Sequence, residues 1–169
     1  MAEQKELKGL GGWLIIVAIG LILTFVLLAV HILDGLNSIV FSGLWSQLTD
    51  PNSEDYTPNF AWIFLFEIIG NSLFFIVNGY LTYLFFTKNY KFPTIFIAFE
   101  IINIAFVLLN SFFCNSILSF NMNGDTIENV AKAVIHAGIW IPYMLKSVRV
   151  KNTFVNGRCN EVPHSDTIS

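Results

Sequence analysis

Charge is scarce in this sequence. Asp, Glu, Lys and Arg supply 12% of the 169 residues, against roughly 25% in ordinary globular chains. A water-soluble domain with so few charges has trouble covering its surface. No basic face or stripe exists beyond a short cluster near the end of the chain, which excludes nucleic-acid binding. Cysteine is scarcer still: Cys114 and Cys159 are the two. No Cys-x-x-Cys occurs, so neither a redox relay nor a thiolate metal site has ligands. Gly-x-Ser-x-Gly, His-Glu-x-x-His and a phosphate-binding glycine loop are all missing. These absences remove the standard enzyme classes, and no cofactor and no metal are expected.

What is plentiful is apolar and aromatic. Apolar residues reach 54%, and Phe alone occurs 17 times. They fall into runs long enough to cross a bilayer. After a polar start, Gly12 to Leu33 is uninterrupted, with Trp13 where an interfacial anchor belongs. The run is too long for the apolar region of a signal peptide, and Ala29-Val30-His31 is a poor cleavage site. Phe60–Phe86 and Pro93–Cys114 flank the short basic turn Thr87–Lys91, and Pro93 is tolerated in a first helical turn. Asp125 with Glu128 three residues on starts a fourth run near Thr126 that ends about Leu145. Pro142 is expected to kink its far end. Between the first two runs, Leu36, Ile39, Val40, Leu44 and Leu48 recur at helical spacing, which suggests a short helix lying in the interface. The expected fold is therefore all-α: an integral membrane four-helix bundle, with spans of about 12–33, 60–86, 93–114 and 126–145 within a domain of 1–155. A polar tail, 156–169, follows and is expected to fray after Phe154.

Orientation follows from the nine basic residues. Lys5, Lys8, Lys88, Lys91, Lys146, Arg149, Lys151 and Arg158 share one side of this map, and only Lys132 lies on the other. The positive-inside rule makes the common side cytoplasmic, with both termini there. So strong a bias argues against small exporters of four spans that insert both ways. Paired cysteines for a disulfide oxidoreductase and the Cys-Cys-Gly of a tetraspanin are absent. Lys146, Arg149 and Lys151 sit where they would meet anionic lipid or a cytoplasmic partner.

Polar residues inside the spans mark a candidate site, because charge in a bilayer is costly and usually faces protein or water. Glu67, Asn71 and Asn78 share one face of the second span; Glu100, Asn103 and Asn110 share one face of the third. Folding the hairpin about Asn89 sets Glu67 level with Asn110 and Asn78 level with Glu100. The two carboxylates then lie ~16 Å apart at ~1.5 Å per residue. His136 of the fourth span is expected at the depth of Glu67, with His31 above. This set can serve as a protonatable site or as hydrogen-bonding glue between helices. It lacks the His-x-x-x-His spacing of a metal site.

Three stretches stand out together: Leu7-Lys8-Gly9-Leu10-Gly11-Gly12-Trp13-Leu14; Tyr90-Lys91-Phe92-Pro93; and Ile139-Trp140-Ile141-Pro142-Tyr143 running into Ser147–Phe154. The combination resembles the YdgK-like family of bacterial inner-membrane proteins, a domain of unknown function of the DUF 2569 type. The resemblance covers about Leu7 to Val155 and implies four spans in a bacterial inner membrane, with no activity attached. The expected function is that of a non-enzymatic binding or accessory protein of the envelope, partnered by the lipid bilayer and by another envelope protein. The alternative is a small transporter or proton-coupled carrier using Glu67, Glu100 and His136.

Overall fold

The computed structural model describes residues 8–117 and 124–157. Six helices follow one another: α1 Trp13–Val40, α2 Leu44–Thr49, α3 Phe60–Phe86, α4 Phe92–Ile117, α5 Gly124–Lys146 and α6 Val148–Thr153. Among the described residues there is no strand, only an isolated backbone bridge between Asn89 and Asn156. Helices α1, α3 and α4 are long and apolar enough to cross a membrane; α5 matches them in length but not in apolarity. Large apolar side chains such as Ile15, Ile19, Leu23, Leu73, Ile76, Ile101 and Phe112 stand exposed along these helices. In water that surface would be an aggregation liability; in lipid it is the expected outside.

Chain breakers set the helix limits. Helix α1 begins just after Gly12, whose φ is +60°, and ends before Gly43, at +70°. Asn59 and Lys88, both with positive φ, bracket α3. The apolar run predicts a first span that stops at Leu33, but α1 runs on through Asp34 to Val40. Leu36, Ile39 and Val40 are therefore its last turns, and the short helix of the connection shrinks to the six residues of α2. Packing explains the extension. Gly35 has no side chain to hold off Phe64 and Ile68 of α3, so the two helices close together beyond Leu33. Trp45 of α2 then meets Phe64 edge-on, with ring centroids 6.2 Å apart.

The α3–α4 hairpin is an aromatic zipper. Phe85 packs on Phe92, Phe74 on Phe99 and Phe106, and Phe66 on Phe106 and Phe113. Gly70 sits directly under the Phe106 ring, where a Cβ would collide with ring carbons. Phe66 and Phe74 flank that ring, which restricts its escape. Gly70→Ala should therefore cost about 1–3 kcal/mol as an overpacked contact. Shortening the ring partner in Gly70→Ala/Phe106→Leu should recover most of it. Thermal unfolding of the three proteins in detergent checks this; additive losses in the double variant would show that Phe106 is not the obstacle.

The buried core lies at one end. Leu14, Val17 and Leu21 of α1, Leu81, Leu84 and Phe85 of α3, Phe92 and Phe96 of α4, and Trp140 and Met144 of α5 form one cluster with Val150 and Phe154. The long helices thus alternate in direction, packing α1 on α3, α3 on α4 and α4 on α5. Helix α5 continues as helix through Pro142.

The three stretches that stood out in the sequence meet at this end. Ser147 caps α6 by accepting from the Val150 amide. The Thr153 hydroxyl accepts from the Gly9 amide at 2.9 Å and donates to the Gly9 carbonyl at 3.3 Å. The Arg149 guanidinium lies against Gly11 and Gly12, where any side chain on Gly11 would displace it. The chain is held two residues beyond Phe154, and the rest of the expected tail, 158–169, lies outside the described residues. Asn156 donates to the Lys88 carbonyl, accepts from the Tyr90 amide, and its side-chain amide bonds the Thr87 carbonyl at 2.8 Å. Helix α6 therefore latches the start of the chain to the α3–α4 turn. Lys8, Lys88, Lys91, Lys146 and Lys151 are exposed or half-exposed at or beside this latch.

Candidate functional site: a polar cavity among four helices

Away from the core, the same helices diverge around a cavity of about 800 Å³. Trp13 of α1 and Trp140 of α5 meet edge-on at the core end, with centroids 6.3 Å apart. Farther along, α1 and α5 are separated by the cavity and face it with Thr24 and His31, and with Asn129, Lys132 and His136. Its back wall is Glu67 and Asn71 of α3 and Glu100, Asn103 and Asn110 of α4. Phe74, Phe99, Phe106 and Val107 supply the apolar part of the lining.

Of the residues singled out in the sequence, Glu67, Asn71, Glu100, Asn103, Asn110 and His136 all line this one space. Asn78 does not: it is 1% exposed within the protein, and its side-chain amide nitrogen has no partner among the described residues. The expected pairing also differs. Glu67 is partnered by His31, with Nε2 3.1 Å from Oε1. Glu100 is partnered by His136, with Nδ1 2.9 Å from Oε2. An ionised carboxylate only accepts, so each imidazole nitrogen must donate. Among the described residues, no hydrogen bond links Asn78 to Glu100 or Asn110 to Glu67. The Asn110 side-chain oxygen instead faces Cys114 Sγ at 3.9 Å.

The α4–α5 offset accounts for the exchange of partners. Phe96 of α4 and Trp140 of α5 belong to the same core cluster. Glu100 lies one turn beyond Phe96, and His136 lies one turn before Trp140 in the opposite direction. Core packing therefore brings these two level, and the remaining imidazole, on the extended α1, falls beside Glu67. The pairs differ in environment. Glu100 is 3% exposed. The His31–Glu67 pair is more open, with side chains 56% and 32% exposed.

The cavity gains residues that the sequence pattern did not single out: Asp34, Ser111, Cys114, Asn129 and Lys132. Two signals could have found some of them. Asn129, Lys132, Ala133 and His136 follow the i, i+3, i+4, i+7 pattern of one helical face. Asp34 lies three residues beyond His31 on α1, on the same side of the helix. Lys132 is engaged by Glu128, one turn away, at 2.6 Å. Among the described residues, no group of three or more His, Cys, Asp or Glu side chains is placed to hold a metal ion. At the opposite end, Arg149 is committed to the latch, whereas Lys146 and Lys151 remain exposed.

A cavity of this size is typical of small-molecule sites. Its walls can hydrogen-bond a polar ligand through amides, accept positive charge on carboxylates and exchange protons on imidazoles. The class these features define is an all-helical protein with membrane-type helices around a polar cavity. The particular family follows from comparison. Residues 7–155 match the family described as "Protein of unknown function (DUF2569)", and the chain belongs to that family. No curated protein and no solved structure matches it.

Proposed function

We propose that this chain is a four-span membrane protein that binds a small polar solute in the cavity, as a carrier does. In this reading α5 is the fourth span, and both termini face the cytoplasm of a bacterial inner membrane. The observation that carries it is the cavity, where two carboxylate–imidazole pairs and four asparagines converge. Glue between helices would bring such groups into direct contact and leave no space of about 800 Å³ among them.

Support for α5 as a span comes from its faces. It buries Ala133, Ala137, Trp140 and Met144 on one side and exposes Val134, Ile135, Ile139 and Leu145 on the other. Twenty-three residues reach about 34 Å at ~1.5 Å per residue, enough for the hydrocarbon core. Glu128 and Lys132 neutralise each other near its start. The clustering of basic residues at the core end supports the orientation. The cavity then faces the outside, and the core with its α6 latch seals the inside. An accessory role in the envelope has the exposed Lys146 and Lys151 as its contact points.

Cys114 is a built-in probe, because it lines the cavity. With Cys159 replaced by serine, a membrane-impermeant thiol reagent added from outside should label Cys114 in sealed, right-side-out vesicles. Cysteines introduced at Asn71 and Asn103 should label likewise, and one at the buried Leu84 should not. Absence of labelling at all three cavity positions would mean a dry interior and would end the solute-binding reading.

A further inference from the structure

We propose that the occupant of the cavity is a linear alkyl polyamine, held as a polycation in exchange with protons on His31 and His136. The inference rests on the solute-binding reading above and adds the chemical class of solute and its coupling.

Charge is the first argument. The titratable groups facing the cavity are His31 and Asp34 from α1, Glu67 from α3, Glu100 and Cys114 from α4, and Lys132 and His136 from α5. Lys132 is already compensated by Glu128. With neutral imidazoles, three carboxylates remain, and no free cation faces them among the described residues. Uncompensated carboxylates at membrane depth are expensive, and a bound cation supplies what the walls lack.

Shape is the second argument. Phe85 of α3 packs on Phe92 of α4. Counted from that contact, Glu67 lies 18 residues along α3 and Glu100 eight along α4. The offset of ten residues is about 15 Å at ~1.5 Å per residue. Between the two levels the lining includes Phe74, Phe106 and Val107 together with the amides of Asn71 and Asn103. Asp34, three residues beyond His31 on α1, continues the acidic track outward. Two anions separated by aromatic rings and amides are the complement of ammonium groups joined by methylene chains, with the amide oxygens of Asn71 and Asn103 as acceptors for ammonium groups between the ends. A compact cation could satisfy one carboxylate at a time; an extended polyamine satisfies both and lays its carbons on the phenylalanines.

Coupling is the third. Each of the two deep carboxylates is hydrogen-bonded to its own imidazole, the side chain whose charge changes near physiological pH. Protonating His31 and His136 places one positive charge beside each carboxylate and removes the reason for a polycation to stay. Binding and protonation are therefore mutually exclusive at the same two positions.

The test uses the purified full-length protein in nanodiscs of zwitterionic lipid, titrated calorimetrically with spermine, with a dicarboxylate of similar length and with sorbitol. Spermine should bind at about pH 8, should release protons on binding at about pH 6.5, and should bind at least about tenfold more weakly at about pH 5.5. Glu67→Gln and Glu100→Gln should each weaken it by tenfold or more, while Glu54→Gln, on an exposed connection, should not. Two variants at different depths guard against either one failing to fold. Affinity that ignores pH, or that survives both glutamine substitutions, overturns the proposal. Binding of sorbitol or the dicarboxylate in place of spermine overturns it too, but leaves a solute site standing. So does failure of all three probes while Cys114 remains accessible. Failure of all three with Cys114 inaccessible removes the solute-binding reading as well.

Discussion

Replacing His136 by alanine should lower the unfolding free energy by about 1–3 kcal/mol, the cost of leaving a buried acceptor without its hydrogen-bond partner. The reason is the residue left behind. Glu100 is 3% exposed, and its Oε2 relies on the imidazole 2.9 Å away. His136 itself is about half exposed to the cavity, so the opposite change is milder. Glu100→Gln removes the buried charge and keeps a side chain of the same shape, and the freed imidazole can take a proton donor or acceptor from cavity water. The diagnostic result is the double variant. Adding Glu100→Gln to His136→Ala should recover most of the lost stability, because no charge is then stranded. Unfolding in a fixed detergent, followed by helix content, measures all three proteins. Equal instability of the single and double variants would show that His136 acts through packing rather than through Glu100.

The second large effect is expected at the latch. Phe154 is 2% exposed; its ring stacks on Phe92 with centroids 4.6 Å apart and lies 5.6 Å from Phe85. Phe154→Ala opens a hole between the α3–α4 turn and α6 and should cost about 3–5 kcal/mol. The consequences should spread along a defined route. With α6 loosened, the Thr153 hydroxyl no longer holds Gly9, and Asn156 no longer pairs with Lys88 and Tyr90. Amide exchange should therefore accelerate at Gly9 and Asn156 in Phe154→Ala, while amides near Asn103 in mid-α4 keep their protection. Phe154→Leu, which retains apolar volume, should keep most of the stability. A loss under about 1 kcal/mol, with exchange unchanged at Gly9, would make α6 a peripheral segment.

The two effects concern opposite halves of the molecule. The core end is dry and interlocked, and the cavity end is polar and open. In the carrier reading, opening at the core end would require release of the α6 latch, which is where the stretches that stand out most in the sequence meet.

Much of this architecture is legible in the order of the amino acids. Apolar runs and turn residues are local quantities, so α3, with its Asn59 and Thr87–Lys88 limits, can be read directly, as can the helical character of the whole. The family resemblance is legible for the same reason, from three short motifs. The polar stripes on α3 and α4 follow from helical periodicity alone, and six of the seven residues proposed from them and from α5 line one cavity. What the sequence does not determine is which group meets which. The extension of α1 to Val40 depends on Gly35 fitting against Ile68 and Phe64 of another helix. The pairing of Glu100 with His136 depends on an axial offset set by Phe96 and Trp140 in a core shared by several helices. Asn78 leaves the ladder because it lies one turn from Leu81, where α3 enters the packed core. Hydrophobicity is a property of each residue where it stands in the chain. Register and rotation arise only when side chains of different helices interlock, and the chemistry of this cavity lies in those two quantities.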